Sequence, residues 1–208
     1  MFYFVKTPFW LKYFYRECIW SMPTTEKKIF LTFDDGPHPI ATPFVLDELK
    51  KYNAHATFFC IGKNVEQYFD LFKRIIDEGH SVGNHTQHHL NGWKNDDKKY
   101  LDDIFEAKKN IDSNLFRPPY GRIKKFQLSQ LSLPKYQMKT IMWSVLSGDF
   151  DQTISKEQCC KNVMQKSTSG DIIVFHDSEK AFENMRYTLP KVLQHFSEKG
   201  YQFEKIII

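Results

Sequence analysis

Two adjacent carboxylates, Asp34 and Asp35, stand in the run TFDDGP at positions 32–37. The apolar stretch 29–33 before them reads as a buried strand, and Gly36 and Pro37 turn the chain directly after. Two like charges at a strand end sit where barrel-type and open α/β enzymes build their sites. A surface turn uses the same residue types, so the pair needs company to mean chemistry. His85 and His89 supply it. They lie four apart in GNHTQHH, and on a helical turn both imidazoles would share one face while His88 points elsewhere. Two imidazoles and a carboxylate can hold one metal ion and leave coordination positions open.

The elements that position these residues follow from periodicity. Strands are predicted at 28–33, 56–61, 80–83, 115–117, 139–146, 171–175 and 203–208. Helices are predicted at 44–52, 65–76, 100–111, 156–166 and 187–199, the last stopped by Gly200. Alternating strands and helices argue for an α/β fold with a mostly parallel sheet, either an open sheet or a β/α barrel. The polar residues then fall into a pattern. Asp34 and Asp35 follow the first strand, and His85 and His89 the third. Arg117 ends the fourth, Asp149 follows the fifth, and His176 ends the sixth. In a parallel sheet these strand ends face one way, so the residues converge on one active site.

Composition narrows the classes. The 208 residues fit one domain, or a domain with an extension. A net charge of +4 with mixed signs and no basic block argues against a nucleic-acid partner. The 19 Phe and 10 Tyr predict a ring-rich core. Four cysteines without a CxxC spacing give neither a zinc-thiolate site nor a disulfide framework. No run has the length of a membrane span. Residues 1–26 form an aromatic extension broken by Lys6, Pro8, Lys12 and Arg16. It is no recognisable signal peptide. It is expected to pack on the domain that follows, with a membrane-surface role as the other reading.

TFDDGP, HTQHH, RPPYG, SGDF and IIVFH occur here in the order and spacing of the polysaccharide deacetylase family, the NodB homology domain. The resemblance spans residues 27–208. It implies a distorted, incomplete (β/α) barrel and metal-dependent removal of N-acetyl, or O-acetyl, groups from a glycan such as peptidoglycan or chitooligosaccharide. By the same resemblance Asp35, His85 and His89 look like the metal ligands, Asp34 the catalytic base, and Arg117 the residue that holds it. Tyr120 matches the backbone N–H donor to the oxyanion, His176 the general acid, and Asp149 its tuning partner. Val174, Phe150, Pro119 and Tyr120 match positions that meet substrate. Leu146 and Phe150 depart from the Asp and Trp that many relatives carry there.

A divalent ion in such a site, zinc first and cobalt, nickel or iron after it, would polarise the amide carbonyl and acidify a water. Hydrolysis of a non-sugar or cyclic amide, and an inactive carbohydrate-binding module, are the competing readings. The expected partner is the acetylated glycan alone, with the protein a monomer. The sequence points to the cytoplasm and the implied substrate to the cell envelope.

Overall fold

The computed structural model describes residues 3–208. Elements are numbered in chain order. The strand β1 (Lys28–Asp34) is buried from Ile29 onward, as a parallel strand covered on both faces requires. On one side of it lie β2 (Thr57–Cys60), β3 (Ser81–Asn84), β4 (Leu115–Phe116) and β5 (Lys139–Thr140). On the other lie β7 (Ile172–His176) and then β6 (Val145–Leu146), while β8 (Gln202–Phe203) pairs with the start of β1. Every one of these pairings is parallel. The result is the expected α/β architecture, a sheet curled into an incomplete barrel.

Alternation along the strands divides the core. Ile29, Leu31, Phe33, Ile173 and Phe175 pack with residues of α2 (Ala41–Lys51) and α8 (Phe182–Glu198). Phe30, Phe59, Ile141 and Ile172 form a separate cluster, so Thr32 and Asp34 share the face of Phe30, away from the helices. Phe33 stacks between Phe58 and Phe175, at 5.1 and 6.0 Å between ring centres.

The structure corrects several element predictions. Residues 139–146 are not one strand but β5 and β6, because the chain changes partners on the way. Ile141 donates to the Phe116 carbonyl on the β4 side, and Ser144 donates to Ile172 on the β7 side. The stretch thus crosses the open seam of the barrel. The N-terminal segment fills that seam: Met142 donates to Ile19, Ile19 to Thr140, and Thr7 to Ser144. Lys6 bridges Val145, and Cys18 and Trp20 are buried against Ile123 and Met142. By contrast α1 (Phe9–Phe14) has no buried residue.

The stretch 65–76 is two helices, α3 (Gly62–Gln67) and α4 (Phe69–Asp77), broken at Tyr68 where ψ is 49°. Helix α5 (Asp97–Ala107) starts earlier than its apolar periodicity, since Asp96 caps it by accepting from the Lys98 and Lys99 N–H groups. A helix the periodicity did not reveal, α6 (Lys125–Leu131), buries Leu128 and Leu131. The closing strand shrinks to β8, after which Ile206 N–H bonds the Thr57 hydroxyl. Helix α7 (Lys156–Met164) lies where expected.

Candidate active site

The carboxyl ends of the strands bring the predicted residues together. Asp34 ends β1 and sits in register with His176 at the end of β7. The Asp35 carboxylate lies 3.1 Å from His89 Nε2 and 3.6 Å from His85 Nε2. The three ligand atoms all fall within 4.8 Å of one another. His85 is buried, and its Nδ1 bonds the Arg117 carbonyl at 2.8 Å. A carbonyl only accepts, so Nδ1 carries the proton and Nε2 offers a lone pair toward Asp35. The donor set therefore fits a divalent cation: two imidazole nitrogens and a carboxylate, one imidazole locked in the ligating tautomer. Burial pulls the His85 pKa down to about 4, which keeps it neutral. Burial works against the Asp35 anion, but the His89 bond and the imidazoles around it hold its carboxyl well below the usual range.

The two histidines do not share a helix face. Residues 85–91 form a loop, and Thr86 and His89 adopt left-handed φ of 65° and 57°. The Thr86 hydroxyl accepts from Leu90 N–H and pins the turn. Asp35 and Tyr120 are also left-handed, at 79° and 61°. Four of the six non-glycine residues with positive φ among the described residues thus belong to this site. Backbone conformations of this kind concentrate where function demands an exact side-chain direction. His88 points away, its Nδ1 2.7 Å from Asp103. Asp103 also accepts from the Gln87 and His88 N–H groups, so it anchors the loop from below.

Arg117 is fully buried and fixes Asp34 through a 2.7 Å contact to Nη1. The same Nη1 reaches the Thr32 hydroxyl at 2.7 Å, Nε donates to the Ile141 carbonyl, and Nη2 to the Met142 carbonyl. The seam explains these last two bonds. Where the chain leaves β4 and has not yet joined β7, those carbonyls have no strand partner, and the guanidinium takes them. Phe59 lies 4.0 Å under the guanidinium.

His176 Nδ1 lies 2.8 Å from Asp149, whose other oxygen accepts the His176 backbone N–H at 2.7 Å. Burial lowers the His176 pKa, but the Asp149 charge and hydrogen bond, with Asp35 and Asp34 nearby, raise it to about 9. Among the described residues Asp149 is the one that hydrogen-bonds the His176 ring, and Leu146 is simply buried on β6.

The substrate-facing candidates surround this centre. The Phe150 ring is 5.1 Å from the His176 ring, and Tyr3 backs it at 5.3 Å. The N-terminal segment therefore reaches the site, which no spacing in the sequence announced. Val174 is buried two residues before His176, on the same face of β7. Pro119 is buried at the start of a 3₁₀ turn, Pro119–Gly121. Tyr120 is half exposed with its ring 4.6 Å from His89, and none of the described residues accepts a hydrogen bond from its backbone N–H.

Asp177 was missed by sequence reasoning. Its Oδ1 accepts Gly36 N–H at 3.1 Å, its Oδ2 accepts the Thr42 hydroxyl at 2.5 Å, and its own N–H bonds the Asp34 carbonyl. It thereby clamps the turn after Asp34 and Asp35. A Cβ on Gly36 would lie 2.1 Å from its carboxylate, so glycine is required there. The signal was available: a second carboxylate directly after a strand-end histidine. Burial, with the charges of Asp35 and Asp34, raises the Asp177 pKa from 3.8 to about 8. A carboxyl raised in the folded state favours folding fully below its unfolded pKa and loses that contribution as pH climbs toward the folded one. Between pH 4 and 8 wild type should therefore lose the contribution of this carboxyl. Asp177→Asn keeps the acceptor for Gly36 without the charge and should lose less, by over about 1.4 kcal/mol. Urea unfolding of both proteins across that range, with chelator present, measures the difference.

Residues 21–138 match the polysaccharide deacetylase family. The chain belongs to that family. A peptidoglycan-N-acetylglucosamine deacetylase of Bacillus cereus is 37% identical over 190 residues, covering 88% of each chain. The peptidoglycan-N-acetylmuramic acid deacetylase PdaC of Bacillus subtilis is 33% identical over 88% of this chain, which spans 38% of that protein. Among solved structures, the Bc1960 peptidoglycan N-acetylglucosamine deacetylase, in complex with 4-naphthalen-1-yl-N-oxidanyl-benzamide, superposes with a TM-score of 0.87. It is 31% identical and covers 96% of this chain and 95% of its own. The likeness to these polysaccharide deacetylases extends past the matched 118 positions and takes in the strand ends that carry Asp149 and His176.

Proposed function

We propose that this chain is a metal-dependent deacetylase that removes N-acetyl groups from N-acetylglucosamine-type residues of a peptidoglycan-like glycan. The observation that carries the reading is the convergence of Asp35, His85 and His89 beside the buried pair Asp34–Arg117 and the partly buried pair Asp149–His176. The names of the relatives supply the substrate class.

Asp35, His85 and His89 would hold the divalent ion, zinc by the chemistry of the set, which when bound supplies Lewis acidity and an acidified water. Asp34, held still by Arg117, accepts the proton of the attacking water. The Tyr120 N–H, having no partner among the described residues, donates to the oxygen that becomes negative as the carbonyl turns tetrahedral. His176 Nε2 gives a proton to the departing amine, and Asp149 keeps that imidazole charged and aimed. Phe150 and Val174 flank His176 as apolar walls for the acetyl methyl.

Acetate release from N-acetylglucosamine oligomers and from peptidoglycan strands tests the reading. Chelator should abolish release, and added zinc or cobalt should restore it. Release indifferent to chelator, or no release with any divalent metal, would refute it. The acid assignment has its own check. His176 must be protonated to act, so activity should fall as pH rises through its pKa. Asp149→Asn removes the charge that lifts this pKa and should move that limb about 1–3 units toward acid pH. A pH–kcat profile with an unmoved limb would assign the acid elsewhere.

A further inference from the structure

The short helix α1 carries a surface that the deacetylase reading does not use. Phe9 is 84% exposed, Tyr13 75%, Phe14 59% and Trp10 45%. These four side chains fall at i, i+1, i+4 and i+5 of one helix and form a single aromatic face. Clusters of large exposed rings on one element are interaction surfaces, since scattered ones suffice for an ordinary exterior. Phe126 adds a ring that is 54% exposed, next to Lys125, whose Nζ donates to the Phe14 carbonyl at 2.5 Å.

The charges around this face are one-sided. From Tyr3 to Arg16 the chain has Lys6, Lys12 and Arg16 and no acidic residue. Lys6 is spent on Asp171, and Lys12 sits half-buried near the same carboxylate. Arg16 and Lys125 are the exposed cations next to Phe14, and Glu17 lies 3.9 Å from Lys125.

We propose that α1 docks this protein on a lipid bilayer bearing anionic headgroups. Rings with one polar edge, here Trp10 and Tyr13, suit the boundary between acyl chains and headgroups, and Arg16 and Lys125 suit the headgroup charge. A second copy of the chain would present the same cations to the same cations, which disfavours self-pairing through this face. Six residues are also too short to fill a groove on a partner protein at the spacing a docked amphipathic helix uses. The anchor is rigidly joined to the barrel. Lys6 and Thr7 on one side of α1, and Cys18 to Trp20 on the other, are fastened to the seam. The inference rests on α1 and the residues beside it and stands whether or not the strand-end site deacetylates a glycan.

Co-sedimentation of the full chain with vesicles provides the test. Phosphatidylcholine vesicles with one third phosphatidylglycerol should bind at least about tenfold more protein than pure phosphatidylcholine, and added salt should weaken the binding. The triple substitution Phe9→Ser, Tyr13→Ser, Phe14→Ser changes only exposed rings. It should cut vesicle binding about tenfold or more and leave acetate release from soluble oligomers unchanged. No binding to anionic vesicles overturns the proposal, as does equal binding by the triple variant. A dimer in sedimentation velocity that the triple variant dissolves to monomer would overturn it too, and would assign the face to a second copy.

Discussion

Asp34→Asn is expected to lower kcat by about 10²–10⁴-fold, the span of a positioned proton-transfer group, while the protein still retains its metal. Asp35→Asn is expected to lose both. The two residues are adjacent and chemically identical, so the contrast comes from geometry alone. Asp34 is 3% exposed, bonded to Arg117 and in register with His176. Asp35 has turned into a left-handed conformation that swings its carboxylate to His89 and His85. A strand alternates its side chains, and the φ of 79° at Asp35 breaks that alternation so that both carboxylates serve one centre. Asparagine at position 34 keeps the acceptor for Arg117 and cannot take a proton. At position 35 it removes an anion from a three-donor set, and metal affinity falls with it. Metal content and kcat measured on the same preparations separate the two roles. Full turnover in Asp34→Asn, or metal retained at wild-type affinity by Asp35→Asn with full turnover, would dissolve the assignment.

The sequence made the strand ends legible because parallel strands advertise themselves as continuous apolar runs and their polar termini stand out. The convergence of Asp34, His85, Arg117, Asp149 and His176 followed from that alone. What it hid were features set by tertiary contacts. The His85–His89 spacing suggested a helical turn, yet the pair meets in a loop, because left-handed Thr86 and His89 have no compositional signature. The single strand at 139–146 was split by a change of partner that only the folded sheet reveals. Helix α6 carries few apolar residues and is held by α5 and by a backbone bond from Lys124 to the Gln127 side chain, which weak periodicity cannot announce. Tyr3 behind Phe150 lies 147 positions away in the chain, and no local pattern encodes it.

Arg117→Met should cost about 3–5 kcal/mol of folding stability, the range for breaking a buried ion pair from one side, and should remove activity as well. The size follows from what methionine leaves behind. Asp34 would be a nearly buried anion without its partner, and the Thr32 hydroxyl and the Ile141 and Met142 carbonyls would each lose a donor. Methionine fills much of the volume over Phe59, so packing loss is the smaller contribution. Domains of this size hold only about 5–15 kcal/mol in total, so the variant should unfold at markedly lower urea. Arg117→Lys is the sharper control. A lysine keeps the charge but has three donors on one atom, and it cannot reach the Asp34 carboxylate and the two seam carbonyls together. It should recover part of the stability and little of the activity, because an Asp34 held only by charge is no longer aimed. Equal recovery of both would mean that Arg117 acts by charge alone and that the seam carbonyls it ties down are incidental.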